Sequence, residues 1–288
     1  MKRRSLFALC LGALTASLLS QPVLAVQPLT VGLIPAEDSQ AMLENSKAVI
    51  DSLQKQLGMP VKPFIATDYN GIIEALRARK LDVAYLGPFS YVLASSVANV
   101  EAFAVAETKK SGKSAYKSLI ISRKDSGIQN LEQLKGRTMA FVDPSSASGH
   151  LFPSAGLQKL NIDPNKYFSR VIFSGSHDAS ILAVANRKVD AAAVADRILA
   201  SAVAKGVVQQ SDLNVVWTSP DIPESPMVWR RDLDPALKQK IAAAFASIKD
   251  VQWGDQSMLN GFVPTSDAAY NVVRDTAKIL NLDLKAMK

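Results

Sequence analysis

The stretch LTVGLIP at residues 29–35 and the helical pattern of residues 39–57 form the first of three consecutive strand–helix units. The predicted elements of this series are the strands 29–35, 61–66 and 81–86 (LDVAYL) and the helices 39–57, 70–80 and 88–99. Strands joined by helical crossovers pair in parallel. The first part of the chain therefore predicts an α/β fold built on a parallel sheet.

A second set of elements follows, and its strand 116–123 is predicted to cross out of the first lobe. The remaining predicted elements are the strands 138–142, 171–173, 189–194 and 213–217 and the helices 131–134, 150–160, 179–188, 235–249 and 268–280. Strand 213–217 is predicted to return to the first lobe. Because no Gly/Ser-rich linker separates the halves, we expect one lobe at 26–110 and 218–288 and an inserted lobe at 111–217. Two crossing segments make a hinge with a cleft between the lobes.

The first 25 residues predict a secretory signal peptide, and therefore a periplasmic protein. MKRR is a positive start, residues 5–19 are an apolar stretch, and Val23 and Ala25 put small residues at a cleavage site. Cys10 lies within the apolar stretch and is expected to leave with the signal. An uncleaved N-terminal anchor is the alternative.

Composition excludes several classes of protein. There are 33 basic and 26 acidic residues, a net charge of +7 that falls to +4 once Lys2, Arg3 and Arg4 are removed. No block of Lys and Arg indicates nucleic-acid binding, and a modest positive charge suits a small anionic ligand. One cysteine and two histidines build neither a disulfide framework nor a Cys/His zinc site. We expect no metal and no cofactor.

A hydroxyl-rich loop, VDPSSASGH at residues 142–150, lies between a predicted strand and a predicted helix. The first N–H groups of a helix lack partners and, with serine hydroxyls, can surround a tetrahedral oxyanion. The alternative is a plain serine N-cap. Because ligands bind at the carboxyl ends of strands in α/β sheets, we favour an anion site. Its candidate residues are Ser146, Ala147, Ser148, Gly149 and His150.

Other candidate residues also follow strand ends. His177 can donate to an anion and Asp178 can cap a helix or orient its neighbours, although both can equally be surface or capping residues. Asp196 starts another predicted helix as a cap or a cleft carboxylate. In the first lobe the candidates are the tyrosines Tyr69, Tyr85 and Tyr91, whose alternative is simple core packing.

Catalytic motifs are missing from the sequence. There is no G-x-S-x-G motif, no P-loop and no dinucleotide-binding glycine pattern, and His177 beside Asp178 is not a triad arrangement. A binding protein is therefore favoured over an enzyme.

Several motifs together resemble the periplasmic phosphonate/phosphite-binding proteins of ABC transporters, over essentially the whole mature length. They are Thr67-Asp68-Tyr69 with GIIEA at 71–75, AYLGP at 84–88 with Ser90-Tyr91, residues 143–153, Ser176-His177-Asp178, and VAN at 184–186 with Val189-Asp190. The resemblance implies a type II periplasmic binding protein fold whose two lobes close on a phosphorus oxyanion and deliver it to an inner-membrane permease.

The resemblance also implies site residues. In the family a Ser-Thr-Ser-Gly run holds the oxyanion, which carries over to Ser146, Ser148 and Gly149, while tyrosines and a histidine complete the site. Ala147 departs from the family pattern because it has no hydroxyl. The His177-Asp178 pair is more similar to the phosphite-binding branch of the family than to the branch that binds aminoalkylphosphonates.

The ligand stays open among phosphite, methylphosphonate, 2-aminoethylphosphonate and phosphate. Asp196 is a candidate for binding an ammonium group or a P–OH proton. The alternatives are a receptor of the same fold for another small anion, such as phosphate or a carboxylate, and an exported hydrolase. We expect a monomer that does not bind nucleic acid.

Overall fold

The computed structural model describes residues 27–109, 115–254 and 257–287. The predicted signal peptide at 1–25 lies outside them. In chain order the strands and helices are β1 (Leu29–Leu33), α1 (Ser39–Leu57), β2 (Val61–Ile65), α2 (Tyr69–Arg77), β3 (Val83–Tyr85), α3 (Pro88–Val97), β4 (Val100–Thr108), β5 (Ala115–Tyr116), β6 (Ser118–Arg123), β7 (Thr138–Phe141), α4 (Phe152–Lys159), α5 (Pro164–Tyr167), β8 (Arg170–Phe173), α6 (His177–Ala185), β9 (Ala191–Ala195), α7 (Asp196–Ala204), β10 (Leu213–Thr218), β11 (Ile222–Pro223), β12 (Pro226–Arg230), α8 (Pro235–Ser247), β13 (Gln252–Trp253), β14 (Ser257–Pro264) and α9 (Asn271–Ile279).

The first sheet has seven strands in the order β13-β14-β4-β12-β3-β1-β2. β1 pairs in parallel with β2 and with β3, as the three strand–helix units predict. The antiparallel strands β4, β12, β13 and β14 were not predicted from the sequence. Their partners are distant in the chain, as in the pairing of Pro226 with Val105, so no local strand–helix repeat marks them.

The second sheet has five strands in the order β10-β6-β9-β7-β8. β7 is parallel to β8 and β9, and β6 is antiparallel to β9 and β10. The prediction that residues 213–217 return to the first lobe is wrong, because β10 is still an edge strand of this sheet beside β6. The chain crosses back after Thr218. There β11 pairs with β5, so the outgoing and returning segments form a two-stranded ribbon.

Alternate residues of the second sheet serve two separate cores. Ile120 and Met139 belong to a cluster on one face, while Ile121 and Ala140 belong to the larger cluster that continues into the first lobe. Side chains alternate between the faces of a strand, so both faces of this sheet are covered by packed elements. In the part of the chain that the structure describes, no helix has the length and apolar content to cross a membrane.

Capping residues set the helix boundaries that matter for the site. The Asp68 carboxylate accepts a hydrogen bond from the Gly71 N–H at 2.7 Å, so α2 begins at Tyr69. The Ser176 hydroxyl accepts from the Ala179 N–H at 3.1 Å, so α6 begins at His177, two residues before the predicted start. Both caps place a candidate ligand-binding residue in the first turn of a helix.

Candidate oxyanion-binding cleft

The serine loop, residues 143–149, connects β7 to a helical segment that starts with a π-helical turn (Ala147–Leu151) and continues as α4. The Ser146 hydroxyl oxygen accepts from the Gly149 N–H at 2.9 Å, and the Ser146 carbonyl accepts from the Leu151 N–H at 3.0 Å. Ser146 is therefore an N-cap. A hydroxyl that accepts one hydrogen bond still has its own hydrogen to donate, so capping and anion binding are compatible.

Glycine is required at position 149 by close packing. A Cβ built there would lie 2.4 Å from both Cβ and Cγ2 of Val142 and 2.8 Å from the Ser146 hydroxyl oxygen. Any side chain would push the start of the helix away from the end of the strand. Gly149 thus lets the serine loop turn tightly at the carboxyl end of β7.

Ser146 and Ser148 of the serine loop each lie beside a tyrosine that is outside the second sheet. The Ser146 side chain lies next to Tyr69 at the start of α2, and the Ser148 side chain lies next to Tyr116 in the crossing ribbon. Burial raises the pKa of Tyr69 and the pKa of Tyr116 by more than the neighbouring serine lowers it, so both stay protonated phenols at neutral pH. Four hydroxyl groups therefore converge at the start of the helical segment.

Tyr85 lies at the end of β3, where its ring contacts Trp253 edge-on at 5.3 Å between centroids. Its hydroxyl is 3.4 Å from Nη2 of Arg197, a residue of the second lobe. Tyr91 lies elsewhere. Its hydroxyl donates to Asp267 at 2.7 Å and its ring packs on Tyr270, so these contacts are all within the first lobe.

His177 is buried in the first turn of α6. Its Nδ1 accepts a hydrogen bond from the Ala195 N–H at 3.0 Å. Burial, with a smaller contribution from the Arg197 charge, lowers the pKa of His177 to about 3. The ring is therefore neutral, and with Nδ1 acting as an acceptor its proton is on Nε2. Its backbone N–H donates to the Ala36 carbonyl of the first lobe at 2.9 Å.

The two candidate aspartates have different surroundings. Asp178 accepts from the backbone N–H of Asp38 in the first lobe at 3.0 Å, so it joins the lobes. Asp196 accepts from the N–H of the next residue, Arg197, at 2.8 Å, which holds its carboxylate at the start of its own helix.

His150 packs among aromatic rings rather than among the hydroxyl groups. Its ring contacts Phe141 and Phe173 at 5.1 and 5.2 Å between centroids, and its Nδ1 lies 2.9 Å from the Pro144 carbonyl. A carbonyl only accepts, so this nitrogen is the donor. Burial lowers the pKa of His150. His150 therefore packs against the serine loop through Pro144 and does not point towards the hydroxyl groups.

Sequence reasoning missed four residues at the cleft: Tyr116, Asp143, Arg197 and Glu224. Asp143 accepts from the Ser145 N–H at 2.7 Å and from the Tyr69 N–H at 3.4 Å, and burial raises the pKa of its carboxyl group. Tyr116 and Glu224 are in or next to the crossing ribbon. The prediction of two crossing segments was the signal that could have pointed to them, because such segments border the cleft.

Residues 31–270 match the family described as the periplasmic phosphonate substrate-binding protein of ABC transporters. The chain belongs to this family. A phosphate-import protein of Mycolicibacterium smegmatis is 30% identical over 88% of this chain and 86% of its own length. The phosphonates-binding periplasmic protein of Escherichia coli is 35% identical over 74% of this chain and 64% of its own length.

A solved structure agrees with this assignment. The binding protein component of an ABC phosphonate transporter from Pseudomonas aeruginosa superposes with a TM-score of 0.79 at 31% identity, covering 87% of this chain and 85% of that one. The predicted two-lobed type II binding-protein fold and the predicted family are therefore confirmed. As a member of the phosphonate-binding family, the protein is a substrate-binding component of an ABC importer and not an enzyme. The exported-hydrolase alternative is therefore excluded.

Proposed function

We propose that this substrate-binding protein captures phosphite or a small phosphonate between its two lobes and delivers it to the permease of its transporter. The observation that carries this proposal is the convergence of Ser146 and Ser148 with Tyr69 and Tyr116 at the start of one helical segment. Neutral O–H groups can hold an anion without counter-charges, and the first turn of a helix adds N–H donors.

Backbone N–H groups supply the rest of the oxyanion contacts in this proposal. Because the Gly149 N–H is bound by Ser146, the donors of the first turn are those of Ala147 and Ser148. Ala147 has no hydroxyl, so it contributes only its N–H. Hydrogen bonds to a charged group are worth about 1.5–3 kcal/mol each, and a few of them give micromolar or tighter binding.

Two further donors complete the proposed site. Nε2 of His177 carries the ring proton, and the Tyr85 hydroxyl lies at the opposite lobe. We assign supporting roles to His150, Tyr91 and Asp196, since their polar atoms are engaged with Pro144, Asp267 and Arg197. Asp178 acts between the lobes.

Ligand binding is coupled to closure in this proposal. The contacts of His177 with Ala36 and of Asp178 with Asp38 join the lobes and form only when the lobes meet. A ligand that touches both lobes favours the closed state by its differential affinity. Solution scattering is expected to show a smaller radius of gyration at saturating methylphosphonate. An unchanged radius contradicts closure.

Phosphate is the second candidate, because it shares the oxyanion and a relative of 30% identity is named a phosphate-import protein. The test is calorimetric titration of protein stripped of ligand by unfolding and refolding. Phosphite, methylphosphonate and phosphate are compared with sulfate and acetate. Tight 1:1 binding of phosphite or methylphosphonate supports the proposal. Preference for phosphate supports the second candidate, and preference for sulfate or acetate contradicts both.

The export signal is part of the proposal. We propose cleavage after Ala25, which releases a monomeric periplasmic protein that does not bind nucleic acid. Sequencing the N-terminus of the protein purified from the periplasm is expected to begin at Val26. An N-terminus that still contains residues 1–25 contradicts cleavage.

A further inference from the structure

Arg197, the second residue of α7, places a cationic side chain in the cleft that sequence reasoning did not anticipate. Its side chain is 22% exposed, and its Nε lies 3.3 Å from the carboxylate of Glu224, which is 13% exposed. Its guanidinium carbon lies 5.1 Å from the centroid of the Tyr116 ring, and its Nη2 lies 3.4 Å from the Tyr85 hydroxyl. Arg197 therefore reaches from the second lobe to the first lobe and the crossing segments.

The contacts of Arg197 lie beside the proposed oxyanion donors. Ser146 lies next to Tyr69 and Ser148 next to Tyr116. Arg197 packs over the Tyr116 ring and extends towards Tyr85. Its positive charge acts on His177 as well, where it adds to burial in lowering the pKa. A substituent on a bound phosphorus atom would therefore lie within the field of this guanidinium.

The acidic groups near Arg197 each have a partner in the protein. Glu224 pairs with Arg197 and accepts from the Ser225 N–H at 3.3 Å. Asp196 is held by the Arg197 N–H, and Asp143 by the N–H groups of Ser145 and Tyr69. An ammonium group that entered here would meet a like charge and would have to compete with Arg197 for Glu224. Like charges in a partly buried site repel strongly.

We propose that Arg197 is a specificity-determining residue that makes the cleft accept phosphorus oxyanions with uncharged substituents and reject those that carry an ammonium group. This inference rests on the proposed function. It also replaces the expectation that an acidic residue, Asp196, takes an ammonium group in this cleft. Arg197 achieves the selection by occupying the carboxylate of Glu224 and by its own charge.

The test compares two ligands of nearly equal shape, propylphosphonate and 2-aminoethylphosphonate, which differ by a terminal methyl or ammonium group. We expect the unmodified protein to bind propylphosphonate at least about tenfold more tightly, as like-charge repulsion predicts. Arg197→Met keeps an unbranched apolar side chain without the charge and removes the ion pair with Glu224. It is expected to shift the ratio of the two affinities about tenfold towards 2-aminoethylphosphonate, because only the ammonium group is repelled by the charge, whereas the lost attraction for the oxyanion acts on both ligands alike.

Two other variants control for charge and for folding. Arg197→Lys retains the charge and should retain the preference. Arg123→Met removes an arginine of the second lobe that is bound to Asp125 and to backbone carbonyls of Val184 and Val189, and it should leave the ratio unchanged. Equal or tighter binding of 2-aminoethylphosphonate by the unmodified protein, or the same ratio in Arg197→Met, overturns the inference. If none of phosphite, methylphosphonate and propylphosphonate binds the unmodified protein, the proposed function itself fails.

Discussion

Nδ1 of His177 accepts a hydrogen bond from the backbone N–H of Ala195, at 3.0 Å. The two residues belong to neighbouring elements of the second lobe, α6 and β9. An imidazole that accepts at Nδ1 and is neutral must carry its proton on Nε2. The contact therefore makes His177 a neutral donor at Nε2, and its Nδ1 carries no hydrogen that it could donate to a carboxylate as in a catalytic triad.

A neutral buried histidine predicts a specific dependence of stability on pH. The pKa of His177 is lowered from 6.5 to about 3, so between these values the unfolded chain binds a proton that the folded chain does not. The destabilisation is absent above pH 6.5 and grows as the pH falls. At pH 5 it is about 2 kcal/mol. In His177→Gln this contribution is absent.

Denaturant unfolding of ligand-free protein at pH 7.5 and pH 5 measures the effect. The free energy of unfolding of His177→Gln, relative to the unmodified protein, should rise by about 2 kcal/mol on going to pH 5. Parallel pH dependences would show that folding does not lower the pKa of His177.

Ser148→Ala is expected to weaken methylphosphonate binding about tenfold or more, because it removes a hydrogen bond to a charged group. Ser154→Ala is the matched control. Ser154 is 6% exposed on α4 and its hydroxyl has no hydrogen-bond partner among the described residues. Its removal should leave affinity unchanged, as measured by calorimetry. Equal affinities of the two variants would place the oxyanion elsewhere.

Tyr69→Phe and Tyr91→Phe should distinguish a buried tyrosine that binds the ligand from one that only stabilises the first lobe. Tyr69→Phe removes a donor that meets Ser146, so affinity for methylphosphonate should fall about tenfold. Tyr91→Phe removes a bond to Asp267 within the first lobe, so unfolding free energy should fall by about 1 kcal/mol with affinity kept. Titration and denaturant unfolding of both variants check this. A loss of methylphosphonate affinity in Tyr91→Phe would contradict the supporting role and would make Tyr91 a ligand contact.

Gly149→Ala is expected to destabilise the protein by about 1–3 kcal/mol, because the new methyl group overlaps Val142, which is attached to the adjacent strand end. Gly261→Ala is the control, since its Cβ would find no atom closer than 3.8 Å. Thermal unfolding compares the two. A Gly149→Ala protein as stable as the control would mean that the serine loop can move away from β7 freely.

Asp178→Ala removes the bond to the Asp38 N–H that joins the lobes. The closed state loses about 0.5–1.5 kcal/mol, so affinity for methylphosphonate should fall about twofold to tenfold. Asp125→Ala is the control, because Asp125 pairs with Arg123 and Arg187 inside the second lobe. If the two variants bind equally well, the Asp178 contact contributes nothing to closure.

The α/β class and the parallel pairing of β1 with β2 and β3 were predictable because they follow from patterns within some 60 consecutive residues. The helix α1, with Asp38 as its cap and Gly58 at its end, begins and ends where the sequence predicts. β12 was not predictable in this way, because its neighbours β3 and β4 lie more than a hundred residues before it in the chain. Likewise β10 remained in the second sheet because β6 offered it a free edge.

Sequence alone determined which chemical groups this protein brings to an anion: a hydroxyl-rich loop after a strand, tyrosines at strand ends and a histidine that follows Ser176. Only the tertiary structure decided which of them meet. Tyr69 and Tyr91 follow strand ends in the same way in the sequence, yet Tyr69 lies next to Ser146 whereas Tyr91 donates to Asp267. No local pattern in the sequence marks Arg197 as a cleft residue, because its partner Glu224 is brought beside it only by the fold. The reason is physical: local patterns determine the direction of a chain segment, whereas the partner of a buried polar group depends on which distant segment packs against it.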